Sequence, residues 1–136
     1  MEKLFNLISI AVGIVGGFMA KIFGGYDILL ATIVLLVILD YVSGILKAIY
    51  NKKLSSAVGY KGIIKKVMIF LAIALACAIQ AAIADTIPLR EVTIVFFVCN
   101  EGISLLENAA AIIPIPDRLK EVLLQLRDKD VEKDAN

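Results

Sequence analysis

The sequence predicts an all-α integral membrane protein: a small bundle of four, or three, transmembrane helices followed by a short amphipathic helix. Three observations predict it. Hydrophobic residues make up 60% of the 136 residues and the mean hydropathy is +0.91, whereas a soluble domain has about half its residues apolar. The apolar residues fall into runs of about 20, the length that crosses a bilayer as a helix. The polar residues that interrupt two of these runs recur at steps of three and four, so each set lies on one helical face.

Composition also excludes. At about 20 residues per span the chain has room for four or five spans. A net charge of +1 argues against a nucleic-acid binder. The chain has no His, so imidazole metal sites and His-based catalysis are out. No nucleophile, base and orienting group form a recognisable constellation, and no Gly-rich phosphate loop follows a strand. The expectation is a protein that is not an enzyme and has no cofactor or metal. Cys77 and Cys99 both sit in apolar runs, where Cys serves as a small buried apolar residue.

The first span is Leu4 to Phe23, between Lys3 and Lys21. Its Gly17-Phe18-Met19-Ala20 ending puts Phe where a signal peptidase needs a small residue, which predicts a retained span. Gly13, Gly16 and Gly17 give it a surface another helix could approach closely. Gly24-Gly25-Tyr26-Asp27 reads as a tight turn. The second span, residues 28–50, is uniformly apolar up to Leu39; then Asp40, Ser43, Gly44 and Lys47 share one face. Residues 51–66 read as a basic linker carrying Lys52, Lys53, Lys61, Lys65 and Lys66. By the positive-inside rule this linker is cytoplasmic, with attraction to anionic lipid as a further use.

The third span is expected at 63–84, with Gln80 inside it, followed by an outer turn of Asp85, Pro88, Arg90 and Glu91. The fourth is 92–113, ended by Pro114 and Pro116. Four spans place both termini in the cytoplasm and make spans two and four parallel. Residues 114–136 are expected to be cytoplasmic. Asp117 caps a helix whose Leu119, Val122, Leu123 and Leu126 form an apolar stripe, suited to the membrane surface or to a copy of itself. From Asp128 the tail is charged and expected to be unstructured.

The fourth span is the unusual one. Asn100, Glu101, Ser104, Glu107 and Asn108 lie on one of its faces. Its 11 Val, Ile, Leu and Phe residues favour insertion by roughly 3–7 kcal/mol in total. Two glutamates oppose this by about 5 kcal/mol, so the span needs partners. The parallel second span can supply them: Asp40 is expected near Asn100 or Glu101, and Lys47 near Glu107. Three uses of these faces stay open: intramolecular glue, the lining of an oligomeric aqueous pore, or the proton or cation site of a small transporter built on Asp40 and Glu101.

Two stretches go beyond composition. Asp40-Tyr41-Val42-Ser43-Gly44-Ile45-Leu46-Lys47-Ala48 continues through Lys53-Leu54-Ser55-Ser56, Gly59, Gly62 and Lys65-Lys66. Asn100-Glu101-Gly102-Ile103-Ser104-Leu105-Leu106-Glu107-Asn108 is followed by Pro114-Ile115-Pro116. Together, over about residues 28–127, they resemble the phage holin family that includes the toxin-secretion holins of clostridia. The resemblance implies a homo-oligomer in the host cytoplasmic membrane that opens lesions at a set time. It implies a functional link to a cell-wall hydrolase or a large toxin. Ile112-Ile113 stands where family members often have Gly-Val before the Pro-x-Pro, and members are often described with three spans.

Overall fold

Five helices and no strand make up residues 1–133, the part described by the computed structural model. They are α1 (Glu2–Ile22), α2 (Ile28–Tyr50), α3 (Ser56–Ala82), α4 (Leu89–Ala110) and α5 (Asp117–Lys133). Helices α1, α2 and α3 are each long and apolar enough to cross a membrane; α4 is not among them. With strongly apolar helices and no competing secondary structure among the described residues, the chain is a small helical membrane protein.

Each start has a local cause. Asp27 caps α2, its carboxylate accepting from the Leu30 amide at 2.9 Å. Ser55 caps α3 by accepting from the Val58 amide at 3.3 Å. That cap sets α3 seven residues earlier than residue 63. Most of the expected basic linker is therefore helix, and Lys61, Lys65 and Lys66 ride on it. The charged stretch from Asp128 also differs from expectation: α5 continues through Lys133. Residues 134–136 of the expected tail lie outside the described residues.

Helix α4 lies along α2 and also packs on α3 and α5. Contacts from Asp27 to Arg90 at one end and Asp40 to Asn108 further on make α2 and α4 parallel. The core is Leu30, Ile33 and Val37 of α2, Ile69 and Ile73 of α3, and Ile94 of α4. Helix α1 contributes no buried residue and, among the described residues, touches only α3 of the other helices.

Candidate functional site

The polar faces of α2 and α4 meet through a residue of α3. Asp40 and Glu101 are each 7% exposed, and the Lys66 ammonium donates a hydrogen bond to both carboxylates. Asn108 donates to Asp40 Oδ1 and to Ser43 Oγ, both at 3.1 Å. Ser43 in turn donates to the Asp40 carbonyl at 2.9 Å. Buried charge is tolerated only when paired and hydrogen-bonded, and this cluster meets both conditions inside one chain. Its formal count is two acids to one base. Beside it lies a cavity of ≈ 570 Å³ whose walls include Tyr41, Lys61, Lys65 and Ser104.

A second polar tie closes the opposite end of the bundle. Arg90, 5% exposed, sits in the first turn of α4. Its guanidinium donates to both Asp27 oxygens at 2.8 and 3.0 Å, to the Phe23 carbonyl at 2.6 Å and to the Gly25 carbonyl at 3.1 Å. Its own amide donates to Gln80 at 2.8 Å. The side chain passes so close to Gly24 that a Cβ there would lie 2.8 Å from Arg90 Cδ, and Gly24 itself has φ +73°. Only glycine meets both demands without strain. The Arg90 guanidinium, with the Leu30 amide, lowers the Asp27 carboxyl to about 2.

The layer between the two ties is apolar and closely packed. Ile33, Ile73 and Ile94 are 0% exposed. Asp27 to Asp40, Gln80 to Lys66 and Arg90 to Glu101 are 13, 14 and 11 residues apart, so the tied planes are separated by about 17–21 Å at the helical rise. One chain thus carries an apolar seal closed at each end by an ion cluster.

The five-residue polar stripe of α4 is divided. Glu101 and Asn108 turn to α2 and α3. Asn100 and Glu107 are taken by α5: Arg127 donates to Asn100 Oδ1 at 3.1 Å and Lys120 to Glu107 Oε1 at 2.6 Å. The expected approach of Lys47 to Glu107 is therefore replaced by Lys120, which the antiparallel fold-back of α5 brings closer. Ser104 lines the cavity, and Gly44 packs with Asn108 Nδ2 3.6 Å from where its Cβ would be. At Gly13, Gly16 and Gly17 an added Cβ would meet nothing within 4 Å. Lys52 and Lys53 sit at the exposed α2–α3 turn.

Sequence reasoning places Lys66 among the topology lysines and misses its position between the acids. A signal is present. Lys66, Ile69, Ile73, Ala76 and Gln80 recur at three and four, so Lys66 extends the buried face of α3. Arg90 has no such signal, because most of its acceptors belong to a distant turn.

The profile of the bacteriophage holin family matches residues 17–128. An uncharacterized 14.9 kDa protein from Clostridium perfringens is 37% identical over 131 residues, covering 95% of this chain and 99% of its own. A protein named "Probable holin" from Bacillus phage phi105 is 36% identical over 102 residues, covering 71% of this chain and 75% of its own. An uncharacterized protein of Listeria innocua is 34% identical over 125 residues, covering 91% and 87%. No solved structure matches the chain. The match over most of its length, with three apolar helices beneath it, supports holin function in general and a non-enzymatic membrane protein: the chain belongs to the bacteriophage holin family.

Proposed function

We propose that this protein is a holin that accumulates in the bacterial cytoplasmic membrane, oligomerises, and opens lesions for timed release or activation of a cell-wall hydrolase, or for toxin release. The observation that carries this reading is the contrast between a closely packed interior and an α1 that touches only α3 among the described helices and buries none of its residues. The acids are paired and the apolar layer is packed within one chain, so a single copy is closed on itself and can accumulate harmlessly. Helix α1 buries none of its residues in the chain, so its surface, Gly13, Gly16 and Gly17 included, is available to lipid and to further copies.

The lysines at 47, 52, 53, 61, 65 and 66 fall on one end of the bundle. The positive-inside rule puts that end, and both termini, in the cytoplasm. Regulated expression in bacteria tests the proposal. The expected result is sudden depolarisation and growth arrest after a period of accumulation; a chain that reaches the membrane and does neither ends the holin reading.

One observation favours a second reading, a small proton-coupled transporter. Asp40 and Glu101 share a single ammonium beside a cavity, an arrangement suited to taking up one proton. Substrate-dependent uptake into liposomes that fails in Glu101→Gln would favour it; passage of large dyes would favour the holin.

A further inference from the structure

Helix α5 folds back antiparallel along α4: Lys120, Leu123 and Arg127 meet Glu107, Gly102 and Asn100 in reverse order. A Cβ on Gly102 would lie 3.1 Å from a Leu123 methyl, so the glycine is what lets α5 approach. Between the polar contacts at Asn100 and Glu107, the α4 face toward α5 carries Gly102, on which Leu123 packs. Cys99, Gly102, Leu106 and Ala109 recur at steps of three and four, the spacing that seats one membrane helix on another.

The contacts that hold α5 there are weak compared with those that hold α4. Side chains of the Lys120–Glu107 pair are 43% and 52% exposed, against 13% and 9% for Lys66 and its acids. Arg127 is 30% exposed. The connection at 111–116 contains two prolines and no helix. Leu119, Val122 and Leu126 remain exposed on α5 after docking. Helix α5 contributes no residue to the core and can leave without opening it.

We infer that α5 is a self-docked latch over the Cys99–Gly102–Leu106 face of α4, and that this face, once bared, receives the same face of a second copy. The inference rests on the assembly reading above and names the surface and its control. While α5 is seated, α4 is covered on both sides, by α2 and α3 on one and α5 on the other. Undocking leaves α4 with a small-residue seam and two newly unpaired polar groups, Asn100 and Glu107, at its margin. A second α4 answers both needs: close packing along the seam, and hydrogen-bonding partners beside it.

Cys99 lies on the seam and reports its pairing. The full chain carrying Cys77→Ser is expressed at low density in bacterial membranes and oxidised with copper phenanthroline. Lys120→Glu sets two carboxylates against each other and should raise the Cys99 cross-linked dimer about two- to tenfold. Adding Glu107→Lys reverses the pair and should return the dimer to the starting level. Leu123→Asp, which places a carboxylate on the Gly102 face, should raise it further. Equal dimer in all four chains, or no response to restoring the pair, overturns the latch. Dimer in a Cys99→Ser chain that retains Cys77 would show unspecific collision and also overturns it. Dimerisation is read without lysis: cross-linking that responds as described in a chain that never depolarises cells would end the holin reading alone.

Discussion

Replacing Lys66 with methionine tests whether the shared ammonium holds α2, α3 and α4 together. The substitution keeps the length of the stem and removes the charge. Both carboxylates it serves are 9% exposed at the side chain, so the appropriate scale is that of a buried pair broken by removal of one partner, about 3–5 kcal/mol. That corresponds to a factor of roughly 200 to 5,000 in the folding equilibrium. The assay is SDS-induced unfolding in mixed micelles, followed by helical circular dichroism. Asp40→Asn with Glu101→Gln provides the control, since two amides ask for no cation. In that background Lys66→Met should cost less than about 1 kcal/mol. A small cost in the wild-type chain, or the same large cost in both, would refute the claim that the lysine acts through these acids.

Three further outcomes follow from the same geometry. Gly24→Ala should destabilise by at least about 1–2 kcal/mol, because an L side chain at φ +73° is strained and Arg90 occupies its space; the same unfolding titration reads it. Gly62→Val should cost about 1–3 kcal/mol by overpacking, since a Cβ there already meets the Tyr41 ring at 3.1 Å. Asp27→Asn keeps a competent helix cap and removes the charge that Arg90 grips. The folded carboxyl titrates at about 2 against an ordinary 3.8, so its stabilisation is complete above the ordinary value and is lost as pH falls through the lower one. The gap in stability between wild type and Asp27→Asn should stay constant from neutral pH to about pH 4 and close near pH 2. A gap that closes near pH 6 would mean another group controls the clamp.

Helices α1, α2 and α3 are legible from length and hydropathy, whereas α4, expected as a fourth span, is not apolar enough to be one by that measure. The turn at Gly24-Gly25 and the stop at Pro114 and Pro116 were legible because glycine and proline free or restrict the backbone in known ways. The parallel course of α2 and α4, with Asp40 and Glu101 at one depth, followed from counting spans. What was not legible was pairing across the bundle. Lysines at the end of a span look alike in sequence, yet Lys66 turns inward while Lys61 and Lys65 stay more open to the surroundings. The start of α3 is hidden because the lysines around it read as a linker, while the Ser55 cap begins the helix before them. The partner of Glu107 depended on how α5 returns, and residues 111–116 give a turn without giving its direction.

The division of the α4 stripe bears on how the chain assembles itself. Helix α4 has little tendency of its own to enter a bilayer, because its glutamates offset its aliphatic residues. Asp40 and Lys66 belong to α2 and α3, the two most apolar of the spanning helices. Those two can pair their opposite charges before α4 arrives, and the pair then presents an ammonium with donor capacity left for one more acid. Glu101 fills it, and Arg90 fixes the other end of the same helix on the α1–α2 turn. On the four-span topology proposed above, α4 would therefore need a partner already in place. Asn100 and Glu107 take their hydrogen bonds from α5, whose polar contacts are the more exposed ones. The chain therefore places its strongest polar contacts where they seal a single copy and its weakest where a second copy could compete.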